Sequence, residues 1–237
     1  MSKVFQFKQF SVDQTNCGMK VNTDAALLGS MANNIDIERI LEIGTGTGVI
    51  SLMLAQRYTS ALIDAVEIDE MAAETAGLNF RNSPFAPGIS LISSSFEEHF
   101  NASDTKYDLI VSNPPYFINA LQSDDPVKRL AKHTNESFFK NLVSGAANHL
   151  KSLGLMWLIL PLDTADVVQN LLAKSGNLAV RKTIFIHSFP ESKPYRCILV
   201  IGIGTMSNDA QKFVIYEKQN VYTEEYSTLL KEYLTIF

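Results

Sequence analysis

From Ile40 onward, short apolar runs alternate with stretches whose apolar positions recur every three or four residues. That rhythm predicts a mostly parallel sheet with helices between the strands. RILEIG (39–44), ALIDAVEID (61–69), GISLIS (88–93), YDLIVSN (107–113) and GLMWLILP (154–161) read as strands. VISLMLAQRY (49–58), EMAAETAGLNFRNS (70–83) and ESFFKNLVSGAANHLK (136–151) read as helices, the last opened by Asn135 as a cap. DTADVVQNLLAKSG (163–176) has an acid near its start and glycine at its end, the asymmetry of a helix. The pattern then changes. LAVRKTIFIHSF (178–189) and YRCILVIGIG (195–204) are separated only by PESKP, so they are expected to pair antiparallel. A shorter strand, KFVIY (212–216), and a polar helix, EEYSTLLKEYL (224–234), follow. No repeat or interdomain linker interrupts the chain, so residues 1–237 are expected to form one domain. Residues 1–30 would be an extension and 31–237 the core.

Composition narrows the class. The 237 residues are 46% hydrophobic and 19% charged, as in a globular chain with a sizeable core. The longest apolar stretch, GLMWLILPL, is interrupted by Pro161 and too short to span a bilayer. MSKVFQFKQF alternates Val4, Phe5, Phe7 and Phe10 with lysines and lacks the apolar core of a signal peptide. Cys17, Cys197 and the four histidines show no metal-ligand spacing, so no metal is expected. Together these features point to a soluble, reduced, cytoplasmic protein. A net charge of −5 argues mildly against a nucleic-acid partner. Basic residues nevertheless group at Lys128, Arg129 and Lys132, at Arg181 and Lys182, and at Lys193 and Arg196.

LEIGTGTGVISL places Gly44, Gly46 and Gly48 between the first strand and the first helix. Glycine there permits a tight turn and close approach to a ligand, beside the unpaired N–H groups of a helix start. A dinucleotide fingerprint needs a third glycine where Val49 stands, which counts against a nicotinamide dehydrogenase. Glu42, before the loop, suits a ligand bearing a positive group, such as the amino-acid end of S-adenosyl-L-methionine. Glu67, at the end of the second strand and followed by Ile68, stands where a carboxylate can accept two ribose hydroxyls. Each such bond contributes about 1.5–3 kcal/mol. Asp69 competes for that role but also suits a helix cap. Ser95 and Phe96, after the third strand, are positioned to flank an adenine ring, and Phe96 equally suits the core.

DLIVSNPPYF (108–117) raises a different question, because a core strand runs straight into two prolines. Open α/β sheets bind ligands beyond the C-terminal ends of their strands, so Asn113 to Tyr116 share an edge with the glycine loop and Glu67. Pro114 and Pro115 stiffen the turn. The Asn113 side-chain carbonyl and the Pro114 backbone carbonyl can together hold both hydrogens of an exocyclic amino group. Tyr116 offers a flat ring to a planar substrate. No general base is needed if the electrophile is a sulfonium methyl, because alignment then supplies the catalysis.

LEIGTGTG, VEID and SNPPY, in this order and spacing, resemble class I S-adenosyl-L-methionine-dependent methyltransferases that act on planar nitrogens. The resemblance runs from about Ile40 to Gly204. It implies an α/β, Rossmann-like, seven-stranded sheet, mostly parallel with a C-terminal antiparallel hairpin. The N-terminal FQFKQFSVDQTNCGMKVNTDAALLGSMA, together with AKHTNESF, is similar to the bacterial tRNA1(Val) (adenine-37-N6)-methyltransferase family. That similarity implies a tRNA partner and places Lys20, Thr23 and Asp24 beside the cofactor cleft, although Thr23 and Asp24 read locally also suit a helix cap. Lys128, Arg129 and Lys132 are then candidates for holding RNA phosphates. A protein glutamine or rRNA base as acceptor, and a non-catalytic cofactor-binding module, are the alternative readings.

Overall fold

The computed structural model describes residues 4–15, 17–114, 126–207 and 209–237, with side chains of 126–135 outside the description. A small antiparallel pair, β1 (Val4–Gln6) and β2 (Ser11–Asp13), leads into α1 (Thr23–Met31). Five parallel strands follow in alternation with helices: β3 (Arg39–Ile43), α2 (Val49–Arg57), β4 (Leu62–Glu67), α3 (Glu70–Arg81), β5 (Ile89–Ser93), α4 (Phe96–Ala102), β6 (Tyr107–Ser112), α5 (Pro126–His149) and β7 (Leu150–Leu160). Next come α6 (Leu162–Ser175), β8 (Leu178–His187), β9 (Pro194–Ile203) and β10 (Ala210–Val214). The short pair β11 (Tyr216–Lys218) and β12 (Val221–Tyr222) and then α7 (Glu224–Leu230) follow.

The main sheet has the order β10-β8-β9-β7-β6-β3-β4-β5. β9 runs antiparallel to both β7 and β8, which is the C-terminal hairpin expected from the sequence. The sheet has eight strands where seven were expected, because β10 adds to the edge in parallel with β8, from Ala210↔Thr183 to Val214↔His187. α5 begins at Pro126, so Asn135 lies inside the helix instead of capping it. The strand after it starts at Leu150 rather than Gly154, with no loop between the two elements.

Alternation along the strands explains the near-continuous apolar runs, since both faces are covered. Ile40, Leu109, Val111, Trp157 and Ile159 pack into one core with α1, α2, Phe80 of α3 and Leu230 of α7. Leu41, Ile43, Ile110, Leu158 and Leu160 pack into the other with Phe100 of α4, Leu142 of α5 and Val168 of α6. Phe7, Phe10 and Val12 belong to the first core, so the N-terminal segment is packed against the sheet's helices and not merely appended. Phe7 and Phe10 stack with centroids 4.4 Å apart.

Candidate active site

The chain proceeds from β3 outward to β4 and β5, then returns to lay β6 on the other side of β3. The connections that leave the C-terminal ends of β3 and β6 therefore run in opposite directions, and such a switch point leaves a crevice. The loop after β3 fills one side of it. Gly44 (φ +72°), Gly46 (+57°) and Gly48 (+82°) all occupy the left-handed region, which costs an L side chain about 1–2 kcal/mol. Amides of Gly44 and Thr45 donate to the Val66 carbonyl (2.9 and 3.0 Å), tying the loop to the end of β4. Glu67 is engaged on both oxygens: Oε2 accepts from Gly46 N (2.8 Å) and Oε1 from Asp69 N (3.0 Å). Asp69 caps α3 through Ala72 N at 2.8 Å, the cap role weighed for it from sequence.

A cavity of about 500 Å³ opens between this loop and the end of β6. Glu42 lines it yet is only 1% exposed. Its Oε2 accepts from the Thr45 hydroxyl (2.7 Å), from Ser51 N (2.9 Å) and from the Ser51 hydroxyl, so it staples the loop to the first turn of α2. Burial, helped by the neighbouring Glu67 charge, pushes its carboxyl up to about 7 against the opposing pull of these hydrogen bonds. On the opposite wall, the Ser112 hydroxyl donates to the Ile43 carbonyl (2.8 Å), fixing the end of β6 against the end of β3. Asn113 and Pro114, the next two residues, line the cavity.

The sequence-expected residues divide into three groups. Glu42, Gly44, Gly46, Glu67, Ile68, Ser95, Phe96, Asn113, Pro114 and Lys20 meet in the cavity lining. Gly48 lies outside it, facing α3, where an added Cβ would overlap the Phe80 ring; Thr23 is exposed and also outside it. Asp24 is buried and ion-paired to Arg196 Nε at 3.0 Å, so it joins α1 to β9 rather than lining the cavity. The cap of α1 is Asn22, whose Oδ1 accepts from Ala25 N (2.9 Å), not Thr23 or Asp24. Tyr116 and the side chains of Lys128, Arg129 and Lys132 lie outside the described residues. Ser95 lines the cavity while spending its hydroxyl on a capping box with Glu98. Phe96 does double duty too, meeting Phe100 and Phe138 edge-on (6.0 and 5.2 Å).

Several lining residues escaped the sequence reading. Cys17, Gly18 and Met19 form part of the wall, and Phe138 reaches it from α5. Asn22 before an apolar helical run was a readable cap signal. Nothing in ESFF distinguishes Phe138 from an ordinary core residue. Among the described residues no group of three His, Cys, Asp or Glu side chains could hold a metal ion, and no helix is long and apolar enough to cross a membrane.

Residues 10–183 match the family model described as the methyltransferase small domain. The tRNA1(Val) (adenine(37)-N6)-methyltransferase of Pedobacter heparinus is 42% identical over 237 residues, covering 100% of both chains. The chain belongs to that methyltransferase family. The same-named protein of Parabacteroides distasonis is 36% identical over 97% of this chain and 96% of its own. Among solved structures, a predicted O-methyltransferase of Agrobacterium tumefaciens aligns with a TM-score of 0.69 at 17% identity, over 89% of this chain and 96% of that one. TrmN from Thermus thermophilus aligns at 0.59 and 20% identity, over 76% of this chain and 48% of its own. These likenesses establish a class I methyltransferase fold, whose cofactor is S-adenosyl-L-methionine. The family's cofactor suits the cavity. Its volume lies within the usual range for small-molecule sites, about 300–1,000 Å³. Its wall carries Glu42, Glu67 and Asp69, acids suited to a ligand with a sulfonium and an ammonium.

Proposed function

We propose that this chain transfers a methyl group from S-adenosyl-L-methionine to the N6 amino group of adenine 37 in tRNA1(Val). The observation that carries the reading is the opening of the Asn113–Pro114 strand end into the same cavity as the glycine loop and Glu67. Full-length identity of 42% to a relative of that name supports the choice of substrate.

In this reading Glu67 accepts ribose hydroxyls with the lone pairs left by its two backbone donors. The loop of Gly44 and Gly46 lets the backbone approach the ligand, with Ile68, Ser95 and Phe96 beside the purine and Lys20 at the rim. Glu42 holds the loop's shape and, ionised in the presence of the cationic ligand, presents negative charge to the amino-acid end. The bound cofactor would supply a methyl already activated by its sulfonium and leave as S-adenosylhomocysteine. The amino proton, made acidic by the new N–C bond, would pass to water, so the protein's contribution is alignment. The Asn113 side-chain carbonyl and the Pro114 carbonyl accept the two amino hydrogens of the adenine, which aims the nitrogen lone pair out of the ring plane. Ser112 fixes that clamp relative to β3 through its bond to Ile43. Orientation of this kind is worth roughly 7–11 kcal/mol. Tyr116 is assigned the face of the flipped base, and Lys128, Arg129 and Lys132 the neighbouring phosphates. We read residues 1–237 as one methyltransferase domain with an N-terminal extension, working in the cytoplasm where its tRNA is found.

The test offers labelled cofactor and the purified protein to unmodified tRNA, rRNA, DNA and release factor in separate reactions. N6-methyladenine in the tRNA fraction is the expected product. Label confined to release factor or rRNA would keep the chemistry and reject the partner.

A further inference from the structure

Asn79 sits on α3, outside the cavity lining, and is 3% exposed. Its amide oxygen and both amide hydrogens are engaged. Oδ1 accepts from Asp13 N (2.8 Å), and Nδ2 donates to the Asp13 carbonyl (2.9 Å) and to the Thr47 carbonyl (2.9 Å). Toward Asp13 the side chain imitates a neighbouring β-strand, returning both backbone bonds at the end of β2. Toward Thr47 it grips the glycine loop between Gly46 and Gly48. One amide therefore links two parts of the chain that line the cavity: the loop after β3, and the N-terminal strap, which lines it farther on with Cys17 to Lys20.

One turn earlier on the same helix, the Thr75 hydroxyl lies 2.9 Å from the Thr15 carbonyl and 3.0 Å from the Met71 carbonyl. The strap also has its own closure, with Thr15 bonded to Asp13 Oδ1 and Val21 N bonded to Gln14 Oε1 (2.9 Å). These bonds shape the strap internally, whereas Asn79 and Thr75 anchor it to the cofactor-binding half. A buried amide bonded to three backbone groups fixes geometry more strictly than apolar packing, because leaving one of those groups unpaired costs its desolvation.

From this geometry we infer that Asn79 is a positioning residue for cofactor binding: it sets the separation between the glycine loop and the N-terminal strap without touching the ligand. The inference rests on the methyltransferase reading above and adds a residue to it. The groups that Asn79 bonds, Asp13 and Thr47, belong to the strap and the glycine loop, which the reading above gives to the cofactor. Asn79 therefore acts on cofactor affinity, leaving the rate at saturation and the affinity for RNA in place.

Asn79→Asp keeps the acceptor toward Asp13 N and replaces both donors with an oxygen that opposes two carbonyls. The measurements are calorimetric Kd for S-adenosylhomocysteine, KM for each substrate, and hydrogen exchange of the strap amides in the unliganded protein. Expected are a rise of about ten-fold or more in the Kd and in the cofactor KM. Exchange at Asp13 and Thr15 should quicken, while kcat and the KM for tRNA stay within about two-fold. Reversible partial unfolding would itself raise the apparent Kd, by the reciprocal of the folded fraction. The titration is therefore made where urea denaturation shows the variant essentially fully folded, and a rise in Kd there separates positioning from lost stability. A normal Kd in a variant whose Tm has fallen would overturn the inference, as would a loss confined to kcat. If Asn79→Asp does not fold, Thr75→Val serves, since it removes the second anchor at nearly constant volume. It should raise the Kd about two- to five-fold, and an unchanged Kd would overturn the inference equally. Failure of the wild-type protein to bind S-adenosylhomocysteine at all would instead reject the methyltransferase reading itself.

Discussion

Glu42→Gln tests the electrostatic account of the glycine loop with a predictable sign. The wild-type carboxyl is almost fully buried and is raised from the usual 4.5 to about 7, chiefly by burial. Below both values it is protonated whether the chain is folded or not. Between them the unfolded chain ionises while the folded one keeps its proton, so the unfolded state binds fewer protons and wild-type stability falls as pH rises. Above about 7 the fall is complete, and the full interval corresponds to roughly 3 kcal/mol. Glutamine does not titrate, and its amide oxygen can still accept from Thr45 and Ser51. The stability of Glu42→Gln minus that of wild type should therefore grow by about 2–3 kcal/mol between about pH 5 and about pH 8. Urea denaturation of both proteins across that range gives the difference directly, because every other titrating group cancels. A difference that stays flat with pH, or shrinks toward alkaline pH, would refute the reasoning. The cationic cofactor should favour the carboxylate, so saturating S-adenosylhomocysteine, which lacks the sulfonium, should reduce the pH trend less than the methyl donor does.

Three further outcomes are expected. Glu67→Ala should weaken cofactor binding by about 1.5–3 kcal/mol, whereas Asp69→Ala should cost about 1 kcal/mol of stability through its lost cap and leave calorimetric affinity nearly unchanged; the reverse order would exchange their roles. Gly48→Ala, strained at φ +82° and driven into Phe80, should lose about 2–4 kcal/mol in urea denaturation, and Gly44→Ala, with open space around its Cβ, only about 1–2 kcal/mol. Replacing Lys128, Arg129 and Lys132 by glutamine should weaken tRNA binding and flatten its salt dependence by about one slope unit per lost phosphate contact, with cofactor affinity intact; an unchanged slope would remove those residues from the RNA path.

Local chemistry made much of the site legible. Gly44, Gly46 and Glu67 could be placed because a strand, a glycine loop and an acid about twenty residues on fall at one sheet edge in any such fold. The place of Asn113 and Pro114 in the lining was readable because prolines after a core strand are locally unusual. Asn79, Cys17 to Met19 and Phe138 were not, since each acts through partners far away in sequence. Asn79 reaches Asp13 across 66 positions, and no local pattern marks such a pair. Thr23 and Asp24 show the opposite failure. The segment was correctly read as a helix start, but the cap fell one residue earlier on Asn22 while Asp24 found Arg196. The eighth strand was visible as KFVIY, but its parallel pairing with β8 depends on a return across the sheet that periodicity does not encode.

The central claim is that the Asn113–Pro114 clamp presents one amino group, that of adenine 37, to the cofactor. It is tested most directly by nucleoside mass mapping of unmodified tRNA1(Val) after incubation with wild-type protein or Asn113→Ala, with a guanine-37 tRNA alongside. The account predicts N6-methyladenine at position 37 with wild type, none in the guanine-37 tRNA, and turnover reduced by about 100-fold or more in the variant with cofactor affinity retained. Methylation at another position, or undiminished turnover by Asn113→Ala, would contradict it.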